Sequence, residues 1–422
     1  MKKQILISVY DMEIGGIERS LINMLEHFDY ERYEVDILVF SHQGDLLGQL
    51  PRSVRLLLED GRYTVFRKSM KQCLKEGRFG SVAVRLLVKL IADAKARRRK
   101  LSEGSGYIQL QLVSKYLSFM LPAISKRYDA VISYAWPHDF MAKRVKAGKK
   151  LAWIHTDYTQ LQIDHEMDEA MWAKYDGIAS ISEACTAAFI SRYPRLSANM
   201  FMVENITSPD YIRDKALEGR AEGMECDCFN LVSVGRLSYV KGFDMAIDAM
   251  RLLHRKGIHR VKWHIVGFGG TEAELRAKIA EYGLEQQVIL HGKKQNPYPY
   301  MAACDLYVQP SRYEGKAVTV TEAQIVGKPV LITNYPTSGS QVRDGVDGII
   351  CEANAESLAE SIERLYRDIP LRESLIAAVK GMNYGNAGEL AKLYGWIEGV
   401  PAGREEEKDE YKQPISSAAA QG

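Results

Sequence analysis

Arg312-Tyr313-Glu314-Gly315-Lys316-Ala317-Val318-Thr319-Val320-Thr321-Glu322 carries two glutamates with seven residues between them. Ahead of it, Asp305-Leu306-Tyr307-Val308-Gln309 reads as an apolar strand that Pro310-Ser311 breaks. Behind it, the apolar run reads as a helix that stops before Gly327-Lys328-Pro329. This order places Glu314 in a loop and Glu322 about two turns into the helix. Gly315 lets backbone come close to a ligand. At roughly 1.5 Å rise per residue the two carboxylates stand about 12 Å apart along the axis. The helix start between them offers unpaired N–H groups and the positive end of the helix dipole, where phosphate binds well. A ligand with hydroxyls at both ends and a diphosphate between them fits that span, and a nucleotide-sugar has this shape.

The same alternation of strand and helix runs outward in both directions. The first half reads as strands at Gln4–Val9, Tyr33–Phe40, Val54–Leu58, Ala130–Ser133, Leu151–Ile154, Gly177–Ser180 and Met200–Val203. After a charged, glycine-containing lapse a second set begins, with Phe229–Val234, Val261–Val266, Val288–Leu290, Leu306–Gln309 and Val330–Thr333. Continuous apolar strands separated by helices predict parallel sheets covered on both faces. The 422 residues exceed one ordinary core. The expected division is a domain over 1–205, a linker over 206–228, a second domain over 229–385, a helix over 386–403, and a disordered tail over 404–422.

With 46% apolar and 26% charged residues the composition is that of a soluble globular protein. No apolar run is long enough to span a bilayer, and Met1-Lys2-Lys3 passes directly into a buried strand. A cytoplasmic location is expected. The six cysteines are scattered, and Cys226-x-Cys228 has no second pair, so reduced thiols are expected rather than zinc.

The net charge of +2 conceals an asymmetry. Between Arg67 and Lys100 twelve Lys or Arg face only two acids, Glu76 and Asp93. Val82, Leu86, Leu87, Leu90, Ile91 and Ala94 recur there at helical spacing, predicting a basic amphipathic helix. That pattern suits packing on its own sheet, docking on an anionic membrane surface, or both. The net acidity of the remaining chain and the lack of a binding motif argue against nucleic acid. A second basic cluster, Lys143, Arg144, Lys146, Lys149 and Lys150, reads as the solvated end of a helix.

Arg236 lies just past the strand Phe229–Val234, and Lys241 comes five residues later. Both can compensate the charge of a leaving diphosphate. Gly267, Gly269 and Gly270 fail the dinucleotide fingerprint, because the third glycine of that spacing falls on Glu272. Gly15-Gly16, after the first strand, also lacks the full pattern.

Taken in order, Gly15-Gly16-Ile17-Glu18-Arg19-Ser20, Trp153-Ile154-His155-Thr156-Asp157, Val234-Gly235-Arg236-Leu237 with Lys241-Gly242, Val266-Gly267-Phe268-Gly269 and the paired glutamates resemble a family-4 retaining glycosyltransferase of the bacterial cell-envelope type. The resemblance covers roughly residues 1 to 400. It implies the GT-B fold, an α/β architecture of two Rossmann-like domains facing across a cleft, with a last helix returning to the first domain. It also implies Glu314, His155, Arg236 and Lys241 as catalytic residues. Glu322 would bind ribose, the amides of Gly315, Lys316, Ala317 and Val318 would cradle phosphate, and Gly267, Gly269, Gly15 and Gly16 would line the donor site. The substrate implied is a nucleoside-diphosphate hexose, with UDP favoured, and the acceptor a lipid-linked or glycan molecule at the inner membrane face. No metal or other cofactor is expected, since cations and a helix start supply the charge. The alternatives are an epimerase of the same architecture and a catalytically silent partner of a synthase that binds nucleotide-sugar or membrane.

Overall fold

The structure, a computed structural model, describes residues 1–399 apart from 102, 103, 157, 159, 160 and 226. The tail 404–422, Asp157 and Cys226 therefore lie outside the described residues. The chain forms two compact units, one of Met1–Ile206 with the segment that starts at Ala387, the other of Thr207–Asn386.

The first unit holds β1 (Lys3–Val9), α1 (Gly16–Glu26), β2 (Tyr33–Val39), β3 (Arg55–Leu56), α2 (Met70–Lys75), α3 (Phe79–Arg99), α4 (Gly106–Met120), β4 (Ile124–Ser133), α5 (His138–Arg144), β5 (Val145–Ile154), α6 (His165–Trp172), β6 (Gly177–Ser180), α7 (Glu183–Arg192) and β7 (Met200–Met202). The strands make one parallel sheet in the order β3-β2-β1-β4-β5-β6-β7. Helices cover β1 on both faces, which explains its unbroken apolar run. Ile5, Ile7 and Val9 pack with Leu21 and Leu25 of α1, while Leu6 packs with Phe40, Val88 and Leu112 on the other side.

The second unit holds α8 (Pro209–Leu217), β8 (Phe229–Val234), α9 (Phe243–Arg255), β9 (Val261–Val266), α10 (Glu272–Tyr282), β10 (Val288–Gly292), α11 (Tyr298–Ala303), β11 (Leu306–Gln309), α12 (Val318–Ile325), β12 (Val330–Thr333), α13 (Ser338–Gln341), β13 (Ile349–Cys351), α14 (Ala355–Arg367) and α15 (Ile369–Lys380). Its parallel sheet runs β10-β9-β8-β11-β12-β13. A last helix, α16 (Leu390–Glu398), belongs to the first unit. There Tyr394 stacks on Tyr33 with ring centroids 5.1 Å apart, and its hydroxyl accepts the Asp29 amide at 2.8 Å. Lys3 pairs with Glu398, and Lys149 Nζ donates to the Trp396 carbonyl at 2.6 Å.

Three expectations need correction. The stretch 206–228 is not a bare linker, because Pro209 opens α8 and Ile212 is buried with Tyr298 and Tyr300. Lys146, Lys149 and Lys150 lie on β5 rather than a helix end, since β5 pairs with β4 from Val145 onward. On α3 the buried residues are Val82, Val88, Ala92 and Ala96. Leu86, Leu87 and Leu90 face outward and are 50, 59 and 69% exposed. Arg85 turns back, giving its guanidinium to the Phe66 and Lys68 carbonyls.

Candidate functional site

In the second sheet the chain leaves β8 toward one edge and β11 toward the other. The loops at their carboxyl ends therefore part, and open α/β sheets bind ligands at such a switch point. Arg236 and Lys241 come from the loop after β8, and Glu314 from the loop after β11.

Glu314 is nearly buried, and its Oε1 accepts from three donors: Lys241 Nζ at 2.6 Å, Gln309 Nε2 at 3.0 Å and Ser311 Oγ at 2.5 Å. Its own carbonyl accepts from Thr337 Oγ1 at 3.0 Å. Gln309 is oriented in turn, because its Oε1 accepts from the Tyr307 hydroxyl at 2.8 Å and from Thr319 Oγ1 at 3.1 Å. The two loops are clamped to each other as well. Arg312 makes a bidentate pair with Asp244, each bond 2.7 Å, and its amide donates to the Val240 carbonyl at 2.8 Å. Arg236 is exposed, with no hydrogen bond or ion pair among the described residues. Among the described residues, one cation is thus held on Glu314 while the second is exposed and unpaired.

The glycines of the next loop set its shape. A Cβ on Gly267 would fall 1.8 Å from the Gly235 carbonyl oxygen, and one on Gly269 would fall 2.2 Å from that of Leu237. The Gly235 amide donates to the Val266 carbonyl, and that of Leu237 to the Phe268 carbonyl, each at 3.0 Å. Gly267 and Gly269 therefore let two turns nest and support the loop that carries Arg236. Gly242 acts similarly, with φ of +68° and a Cβ position 1.9 Å from the Pro310 carbonyl oxygen.

Helix α12 begins at Val318, so Glu322 stands just past one turn rather than two. Its side chain is fully buried and accepts from the Tyr298 hydroxyl at 2.8 Å. Of the expected phosphate amides, Ala317 is already engaged, donating to Gln341 Oε1 at 2.9 Å while Gln341 Nε2 returns a bond to its carbonyl at 3.0 Å. Val318, as the first helical residue, keeps an amide that the helix itself does not satisfy.

In the first sheet the switch point falls between β1 and β4. Gly15 and Gly16, after β1, open α1, but a carboxylate oxygen of Glu18 lies 2.2 Å from where a Gly15 Cβ would be. The helix start already meets an anionic group. His155 follows β5, and its Nε2 lies 2.9 Å from the Tyr134 carbonyl. A carbonyl only accepts, so Nε2 carries the proton and Nδ1 is the basic nitrogen of the neutral ring. Burial pushes its pKa down to about 3. The ring is neutral at pH 7 and a poor proton acceptor.

Sequence reading misses the supporting residues: Gln309, Ser311, Thr337, Gln341 and Tyr298. Gln309 and Ser311 flank Pro310, so a polar pair closing a buried strand is the available signal. The others come from separate elements and carry none.

Residues 226–382 match the family described as Glycosyl transferases group 1, and this part of the chain is a domain of that kind. The amylovoran biosynthesis glycosyltransferase AmsK of Erwinia amylovora is 33% identical over 144 residues, 32% of this chain and 35% of that protein. An N-acetylgalactosaminyltransferase of Campylobacter jejuni that acts on a diphospho-undecaprenol-linked sugar, by its name, is 32% identical over 147 residues, 34% of this chain and 39% of that protein. The alignments thus span little more than a third of these relatives' lengths. Among solved structures, HepE of Anabaena in complex with UDP and glucose superimposes with a TM-score of 0.67 at 17% identity, covering 94% of this chain and all of that one. TarM gives 0.64 at 15% identity, covering 94% and 99%. The fold is the GT-B type, two parallel-sheet α/β domains.

Proposed function

We propose that the chain is a retaining, metal-independent glycosyltransferase that moves a hexose from a UDP-hexose to a membrane-presented acceptor in cell-envelope polysaccharide synthesis. The carrying observation is the Lys241–Glu314 pair beside the open Arg236 at the second unit's switch point. The relatives named for polysaccharide and lipid-linked sugar transfer, and the neighbour holding UDP and glucose, support the substrate class.

In the proposed reaction the bond from sugar C1 to the leaving phosphate oxygen breaks as C1 bonds the acceptor oxygen on the same face. The acceptor's proton passes to the leaving phosphate. Arg236 and Lys241 offset the charge that grows there, as preorganised donors do. Glu314, by holding Lys241, keeps it from wandering before the transition state is reached. A same-face route needs no strong protein base, which agrees with a His155 held neutral and weakly basic.

Membrane presentation is supported by α3 and α4. Phe79, Leu86, Leu87 and Leu90 are exposed on α3, and Tyr116, Phe119 and Met120 are exposed on α4. Lys89, Arg97, Arg98 and Lys100 are exposed on or just past α3. Exposed apolar residues with basic neighbours fit an in-plane helix on an anionic surface. Among the described residues no helix is long and apolar enough to cross a membrane.

The test is release of nucleoside diphosphate from a panel of UDP- and GDP-sugars in EDTA. Release from one donor that Glu314→Ala abolishes is expected. Turnover unchanged in that variant, or strictly dependent on added metal, overturns the corresponding part of the proposal. NMR of the product anomer tests retention.

A further inference from the structure

Helix α12 opens with four backbone N–H groups that its own turns cannot satisfy, those of Ala317, Val318, Thr319 and Val320. Two of the four are satisfied within the chain. The Val320 amide donates to the Ala317 carbonyl at 3.0 Å. Ala317 has no polar side chain with which to cap the helix, and its own amide is met from another element: Gln341 Oε1, at the end of α13, accepts it at 2.9 Å. The amides of Val318 and Thr319 have no hydrogen bond among the described residues, and both residues are partly exposed. Two neighbouring donors therefore stand together at the positive end of the helix. The same turn is tied to the cation loop. Thr319 Oγ1 donates to Gln309 Oε1 at 3.1 Å, Gln309 Nε2 to Glu314 Oε1 at 3.0 Å, and Lys241 Nζ to the same carboxylate oxygen at 2.6 Å.

Gln341 fixes where that pair points. Its Nε2 donates to the Ala317 carbonyl at 3.0 Å while its Oε1 takes the amide, so one side chain grips both polar groups of a single residue, as a neighbouring strand would. The backbone sets the orientation of the glutamine amide, since an N–H needs its oxygen and a carbonyl needs its nitrogen. Tyr335, whose side chain is buried, donates its hydroxyl to the same Oε1 at 3.0 Å and limits its rotation. Thr337 Oγ1, just ahead of α13, bonds the Glu314 carbonyl at 3.0 Å. The turn from Glu314 to Ala317 is thus held at both ends by the segment that follows β12. A hydrogen bond weakens steeply once its donor turns out of line, so a peptide fixed at Ala317 decides how well the next two amides meet an anion.

We infer that Gln341 is a positioning residue for the donor's diphosphate: it takes the Ala317 amide out of the anion-binding set and fixes the Val318 and Thr319 amides toward phosphate oxygens. The inference rests on the nucleotide-sugar reading above. Gln341 acts through the backbone and needs no contact with the ligand.

The test compares UDP with uridine, which keeps the base and ribose and lacks both phosphates; GDP and guanosine take their place if the wild-type protein prefers them. Affinities are measured on the full chain in EDTA, by calorimetry for the diphosphate and saturation-transfer NMR for the nucleoside, well below each variant's Tm. Gln341→Met keeps the side-chain length and removes both bonds to Ala317. It should weaken UDP by about tenfold or more, the worth of one hydrogen bond to a charged group, and leave uridine within about twofold. Tyr335→Phe keeps the buried ring and loses only the hydroxyl, so the same pattern is expected with a factor of about two to five. A role in packing alone would lower Tm and move the two ligands together or not at all. UDP affinity unchanged in Gln341→Met, or uridine weakened as much as UDP, overturns the inference. Should Gln341→Met fail to fold, Tyr335→Phe decides by the same two criteria. The wild-type protein separates this inference from the reading beneath it. Binding of neither UDP nor GDP removes the donor site and the inference with it, whereas wild-type binding that both variants leave unchanged removes only the role of Gln341.

Discussion

Replacing Lys241 by methionine separates the structural from the chemical role of the Lys241–Glu314 pair. The change removes one of three donors from a carboxylate that is nearly buried, while the side chain keeps its length across Gly235. Breaking a fully buried pair costs about 3–5 kcal/mol. Here the two side chains are 22% and 11% exposed, and Gln309 and Ser311 remain, so the cost should fall to about 1–2 kcal/mol. For a unit of this size that is roughly 2–8 °C in Tm, readable by scanning fluorimetry. Turnover of the preferred donor should fall by about 10²–10³, as when one preorganised charge donor is lost. The double variant Lys241→Met with Glu314→Gln removes the uncompensated carboxylate. It should recover most of the Tm and none of the turnover. Recovery of turnover by the double variant, or a single variant with normal turnover, would refute the reasoning.

Gly242→Ala should destabilise by about 2–4 kcal/mol in denaturant unfolding, since φ of +68° and a 1.9 Å clash with the Pro310 carbonyl act together. Gly257→Ala, at φ of +76° with no atom within 4 Å, should cost only about 1–2 kcal/mol. Burial lowers the pKa of His138 from 6.5 to about 4, below its unfolded value, so its contribution to stability is present above pH 6.5 and is lost as pH falls toward 4. The drop in Tm between about pH 7 and pH 4.5 should therefore shrink in His138→Asn; an unchanged drop would mean that other groups dominate. Leu87→Glu with Leu90→Glu, both at exposed positions, should reduce flotation with anionic vesicles by about tenfold or more and leave Tm within about 1 °C. Undiminished flotation would remove α3 from the membrane contact.

Every strand but β13 (Ile349–Cys351) was legible, because a parallel sheet covered on both faces imposes continuous apolar runs such as Gln4–Val9, and glycine or proline ends them. The loop positions of Arg236, Lys241 and Glu314 followed from those strand ends. Which face of α3 points inward did not follow. Periodicity reports that Leu86, Leu87 and Leu90 share a stripe, but Val82, Val88, Ala92 and Ala96 form a second one, and only the tertiary fold chooses between them. The charged run after Ile206 concealed α8, whose burial rests on Ile212 among polar neighbours. The bonds that hold Glu314 were equally invisible. Gln309, Ser311 and Thr337 meet it through three-dimensional proximity, and nothing in their spacing announces that.

The helix α16 has a consequence for synthesis on the ribosome. Among the described residues the second unit is one continuous stretch, Thr207–Asn386, and can close as soon as it has emerged. The first unit cannot, because Leu393 and Ile397 complete the core around Phe28 and Tyr33. At about 5–20 residues per second, everything between the end of β7 and α16 takes roughly 10–40 s to be made. For that interval the earlier unit waits with an apolar face uncovered, so a ribosome stalled before Leu390 would leave a finished second unit tethered to an unfinished first one.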